Sequence, residues 1–149
     1  MATHSSLAIL IGQAKSEADA AFRHLQQLTS DRQNAQNQLS ALRSYRQDYA
    51  SRLQNASEEG LSASNYHNFR RFIATLDEAI VQQNGLMAQI EQRIQIGLQN
   101  WQARKRRLNS YEALLDRENR ERRARENRSE QRANDEISIN MARRAAKPH

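Results

Sequence analysis

The chain has 149 residues, a formal net charge of +6 and a sequence pI near 10.3. Only 38% of it is hydrophobic, below the roughly 45–50% apolar usage of globular domains, and it contains no cysteine, one proline and four glycines. These figures argue against a thick multilayer core, exclude disulfide and thiol chemistry, and point to one domain of long, narrow helices.

The first apolar run, Leu7 to Ile11, is too short for a secretory signal and lacks a basic flank and a small-residue cleavage site. Nothing approaches the roughly 20 apolar residues of a membrane span, so a soluble protein is expected. Helix 1 is expected over about residues 5–55, with Thr3, Ser5 or Ser6 able to cap its first turn. Steps of four and three residues from Leu7 give Leu7, Ile11, Ala14, Ala18, Ala21, Leu25, Leu28, Arg32, Ala35, Leu39, Leu42, Arg46, Tyr49 and Leu53, all apolar but for the two arginines. That 3.5-residue repeat is a coiled-coil seam.

Residues 56–64, ASEEGLSAS, hold the one cluster of turn formers, with Gly60 to end the first helix and Ser62 or Ser64 to cap the second. Helix 2 is expected over about 65–140. Its seam runs Phe69, Ile73, Leu76, Ile80, Gln83, Met87, Ile90, Ile94, Gly97, Trp101, Arg104, Leu108, Tyr111 and Leu115. Each member lies as far after residue 61 as a member of the first seam lies before it, from Leu53 with Phe69 to Leu7 with Leu115. Antiparallel pairing across one turn requires that symmetry. Large residues also face small ones: Trp101 meets Ala21, Leu108 meets Ala14 and Gly97 meets Leu25. The predicted fold is all-α: two long helices in an antiparallel coiled-coil hairpin, about 70 Å long over the paired part at 1.5 Å per residue. Arg32, Arg46, Gln83 and Arg104 interrupt the seam, and the arginine stems are expected to snorkel to water.

Past Leu115 helix 1 has no residues left to pair. The segment 116–134, DRENRERRARENRSEQRAN, carries seven arginines, five acids and no large apolar residue. Opposite charges three or four apart, such as Glu118 with Arg122 and Glu121 with Arg125, support a solvated single helix that overhangs the hairpin. The last residues, about 141–149, are expected to be disordered.

The four histidines, His4, His24, His67 and His149, are scattered without the i, i+4 spacing of a helical metal site. No Gly-rich phosphate loop, serine elbow or cysteine nucleophile occurs, and a thin rod has no walls to desolvate a substrate. The reading is therefore no enzyme, no metal and no cofactor. Basic residues at Arg104–Arg107 and over 117–132 allow a basic arm that binds nucleic acid as the alternative. Glutamates at nearly every turn and the lack of interleaved aromatics count against specific recognition.

More informative is the flank of the seam. One side of the middle third presents Gln38, Tyr45, Phe72, Ala79 and Leu86 next to the seam residues Leu42, Tyr49 and Leu76. The other side shows Gln36, Arg43, Arg70, Asp77 and Asn84. Flank positions are ordinarily charged, so an apolar and aromatic surface there has the composition of a binding hot spot.

In QLSALRSYRQDY (38–49), NFRRFIATLDEAI (68–80) and WQARKRRL (101–108) the chain resembles the flagellar export protein FliJ family of bacterial type III export. The resemblance covers nearly the whole chain and fades in the arginine-rich tail. It implies a coiled coil similar to the central stalk of rotary ATPases and a cytoplasmic protein held at the inner membrane only through partners; the hairpin reading itself expects a monomer when alone, against a spacer whose second helix pairs with another copy. It further implies insertion in the hexameric ring of the export ATPase FliI, promotion of ring assembly, contact with the linker of the export-gate protein FlhA, and recycling of export chaperones. The gate-contacting pattern maps onto Gln38, Leu42, Tyr45, Tyr49, Phe72, Leu76, Ala79 and Gln83, the last standing where histidine is typical. Arg104, Lys105, Arg106, Arg107, Arg117 and Arg120 are the expected contacts with the ATPase ring.

Overall fold

The computed structural model describes residues 4–146. Helix α1 spans His4–Glu59 and α2 spans Ala63–Ala146, with no strand among the described residues. The chain divides into two compact units, one of Asp19–Ala103 and one formed by the residues up to Ala18 with those from Arg104 onward. No described helix is long and apolar enough to cross a membrane.

Asp19–Ala103 is a helical hairpin. Its turn is shorter than the expected 56–64, because α1 continues through Glu59 and only Gly60, Leu61 and Ser62 lie outside the helices. Gly60 adopts φ +94°, the left-handed conformation that closes a helix C-terminus, and its N–H donates to the Ser57 carbonyl at 3.4 Å. Of the two candidate caps Ser62 serves: its hydroxyl accepts from the Asn65 N–H at 3.2 Å and its carbonyl from the Tyr66 N–H at 2.9 Å. Beyond the turn the antiparallel seam zips up, with Leu28, Ala35, Ile90 and Ile94 as a buried cluster flanked by Leu25 and Met87. Gly97 packs against this cluster. A Cβ at that position would stand 3.4 Å from a Leu28 methyl and 3.5 Å from one of Leu25.

In the other unit, Leu108 buries between Ala14 and Ala18, with Ile11 and Tyr111 packed against them. These pairs run antiparallel, as the mirrored spacing expects. In both units every seam position on both helices is buried or half-buried, so the coiled-coil periodicity describes where the core lies.

From Glu121 to Ala146 α2 is exposed on all sides. Residues 141–146, expected to be disordered, are helical. Ala142, Arg143, Arg144, Ala145 and Ala146 are strong helix formers, and the arginines of the last turn face the negative end of the helix dipole. The remainder of that expected tail, and Thr3 as a cap, lie outside the described residues.

Candidate functional site

The polar interruptions of the seam are cross-helix contacts rather than imperfections. Within Asp19–Ala103, Arg32 Nη1 donates to Glu91 Oε1 at 3.3 Å and Arg46 Nε donates to Asp77 Oδ1. In the other unit Arg104 Nη1 donates to Glu17 Oε2 at 2.7 Å, with Arg107 at 3.9 Å from the same oxygen. Each seam arginine thus turns its stem along the apolar core and ends on a carboxylate of the opposite helix, so the expected snorkelling has a defined destination. The hydrogen bond to Asp77, and then its negative charge, raise the Arg46 pKa above the ordinary guanidinium value.

Gln83 serves the same purpose without charge. Its Nε2 donates to the Ala35 carbonyl at 2.9 Å and to Gln38 Oε1 at 3.2 Å.

The eight residues expected to face the gate repeat one spacing on both helices: Gln38, Leu42, Tyr45 and Tyr49 on α1, and Phe72, Leu76, Ala79 and Gln83 on α2. Offsets of four, three and four residues keep each set on one helical stripe about 16 Å long. Gln38 bonds to Gln83 at one end of the strip, and at the other the rings of Tyr49 and Phe72 lie 4.4 Å apart, tilted by 39°. In the mirrored register Leu42 pairs with Ile80, next to Ala79, and Leu76 pairs with Arg46, next to Tyr45. The eight therefore form one strip along the hairpin, four on the seam (Leu42, Tyr49, Leu76, Gln83) and four beside it (Gln38, Tyr45, Phe72, Ala79).

They do not contribute equally to its surface. Tyr45 is 60% exposed and Phe72 41%, whereas Leu76 is 8% exposed and lies in the core. Leu42, Tyr49, Ala79 and Gln83 are half-buried and Gln38 is exposed. Leu86, also picked out by the flank pattern, is 41% exposed and extends the apolar surface. Two members of the aromatic end escaped the flank reading. Phe69, a seam residue, lies 6.1 Å from the Tyr49 ring, and the Arg52 guanidinium carbon is 5.5 Å from that ring's centroid. Arg52 stands seven residues after Tyr45 on the same flank, which was the available signal.

A second aromatic pair, Phe22 and Trp101 at 5.7 Å, lies where Trp101 was expected to meet Ala21. Ala21 itself is buried.

Of the expected ring contacts, Arg104 and Arg107 are engaged with Glu17, and Arg117 donates to Glu121 at 3.3 Å. Lys105, Arg106 and Arg120 are exposed and make no ion pair among the described residues. The arginine-rich helix is laced by i, i+4 pairs, Arg117 with Glu121 and Arg122 with Glu126, in place of the expected Glu118–Arg122 and Glu121–Arg125 pairs. No group of three or more His, Cys, Asp or Glu side chains suited to a metal converges among the described residues.

Comparison with known proteins adds the family. The model of the family described as Flagellar FliJ protein matches residues 3–147. The Flagellar FliJ protein of Salmonella typhi is 33% identical over 144 residues, covering 97% of this chain and 98% of that protein. Its namesake from Escherichia coli (strain K12) is 32% identical over the same length, with the same coverage.

Proposed function

The chain belongs to the flagellar FliJ family and is a component of the flagellar export apparatus, and from that premise we propose that it is the stalk coupling the export ATPase to the membrane export gate. In this reading the strip from Gln38 to Tyr49 and Phe72 to Gln83 docks on the linker of the gate protein FlhA. The basic part of α2, through Lys105, Arg106 and Arg120, meets the hexameric ring of the ATPase FliI and promotes its assembly. The chain also escorts and recycles export chaperones. It acts by binding rather than by catalysis, without metal or cofactor, as a cytoplasmic protein brought to the inner membrane by its partners.

One observation carries the gate reading: Gln38, Tyr45, Phe72 and Ala79 flank the seam residues Leu42, Tyr49, Leu76 and Gln83, and Tyr45 and Phe72 stand exposed among them. Burying two exposed aromatic side chains against an apolar segment supplies the kind of anchor on which interfaces depend. The ring reading rests on exposed cations that no internal carboxylate engages.

The test is recovery of partners from cells. A tagged wild-type chain should bring down both the export ATPase and the gate protein. The variant Y45A/F72A should keep the ATPase and lose the gate, while its far-UV circular dichroism stays that of the wild type. Undiminished gate recovery by this variant would reject the strip as the docking surface.

A further inference from the structure

The proposed docking strip has a polarity of charge. No Asp, Glu, Lys, Arg or His occurs from Gln33 to Leu42 or from Ala79 to Ile90, on any face of either helix. At the chain-wide 27% charged, such a set of residues would carry about six charges. The amide end of the strip, where Gln83 donates to Gln38, thus lies in an uncharged band.

The aromatic end differs. There the flank of α1 continues from Tyr45 to Arg52, whose guanidinium lies over the Tyr49 ring beside Phe72 and Phe69. A guanidinium held against an aromatic face keeps its in-plane N–H groups available for a carboxylate fork. Arg32 and Arg46 of the same hairpin each end on a carboxylate of the opposite helix. Arg52 is exposed and takes no carboxylate among the described residues.

We propose that Arg52 is a specificity-determining contact of the strip, taking a carboxylate at one end of an otherwise apolar and uncharged partner segment. This rests on the reading of the strip as a docking site. Complementarity then fixes the direction of the segment: aliphatic or aromatic side chains lie on Tyr45 and Phe72, neutral polar groups face Gln38 and Gln83, and an aspartate or glutamate meets Arg52. A segment laid the other way would leave its carboxylate in the uncharged band and Arg52 without a partner.

The test is a binding titration of the full-length chain against a purified gate fragment that retains its linker, with wild type, R52K and R52E. Arg52 is exposed, so R52E should retain the wild-type circular dichroism and melting midpoint. At about 50 mM salt R52E should bind about tenfold more weakly, and the gap should narrow towards 1 M salt, where the Debye length falls to about 3 Å. R52K, a point charge without the planar fork, should fall between the two. Changing the partner acid to lysine should restore binding to R52E. The substitution R43E, on the opposite flank, should leave affinity unchanged. If R52E binds like wild type at low salt, or loses the same factor at every salt concentration, the role of Arg52 is overturned while the docking reading stands. If the wild-type chain fails to bind the fragment, the docking reading falls, and the role of Arg52 with it.

Discussion

Gly60, Gly85 and Gly97 have three different relations to their surroundings, and substitution by alanine should separate them. At Gly60 the backbone is left-handed, a conformation that costs an L-residue roughly 1–2 kcal/mol, so Gly60→Ala should lower the urea midpoint. Gly85 lies in the interior of α2 with open space where a Cβ would stand. Gly85→Ala removes backbone freedom from the unfolded chain and should raise stability by about 0.5–1 kcal/mol. Gly97→Ala brings a methyl into ordinary van der Waals contact with Leu28 and Leu25. Its helix-propensity gain should therefore survive in part, giving an effect close to neutral or mildly stabilising. Urea titrations followed by circular dichroism would rank the three. A stabilised Gly60→Ala would show that the turn does not need the glycine.

At the scale of the helices, the seam combines apolar layers with cross-helix ion pairs, and the two differ in strength. Leu108 is 5% exposed and supplies the one large side chain between Ala14 and Ala18. Leu108→Ala leaves a layer of three alanines and should cost about 2–3 kcal/mol, at the low end for core truncations because a two-helix seam can collapse. The Arg104–Glu17 pair is more than one-third exposed at both partners. A double-mutant cycle with Arg104→Ala and Glu17→Ala should accordingly give a coupling of only about 0.2–1 kcal/mol, weakened by salt. The contribution of such pairs to register is larger than that figure suggests, because a one-heptad slip would move all three carboxylates away from their arginines. Arg46 adds a check on pH. A folded-state pKa raised above the unfolded value contributes stability that is fully present below the unfolded value and lost only as pH rises through the guanidinium range. Titration of Arg46 should therefore leave the melting midpoint unchanged between pH 6 and 9.

The apolar layers were legible in the sequence, because burying a stripe on each of two helices imposes a 3.5-residue repeat and the single turn imposes mirror symmetry on it. The ion pairs were not, since Glu17, Asp77 and Glu91 stand beside the seam among many other acids, and periodicity does not say which acid an arginine stem reaches. In the same way the flank pattern located Tyr45 and Phe72, but not the clustering of Phe69 and Arg52 around Tyr49. That clustering depends on side-chain rotamers. Helix beyond residue 140 escaped a reading based on hydrophobic pattern because local propensity, not burial, supports it.

For the molecule as a whole, the decisive division is between residues that hold the fold and residues that bury nothing within it. From Glu121 onward α2 buries nothing among the described residues, and the ion pairs that involve this stretch are local, Arg117 with Glu121 and Arg122 with Glu126. Local pairs of this kind contribute about 0.2–0.5 kcal/mol each to the helix that carries them and nothing to the seam. Truncation after Arg120 should therefore leave the cooperative unfolding transition of the hairpin at its wild-type midpoint, while total ellipticity falls by the helix removed. The strip around Tyr45 and Phe72 lies wholly within Asp19–Ala103, so if it docks the gate as proposed, affinity for a gate fragment should also be unchanged. If the basic overhang contributes to ring contact, association with the export ATPase should weaken, and more so at low salt, where exposed arginines act at longest range. A triple reading of melting midpoint, gate affinity and ATPase affinity on this one variant would separate the roles. A lowered midpoint would mean that the overhang packs against the seam, and undiminished ATPase binding would exclude the residues after Arg120 from the proposed ring contact.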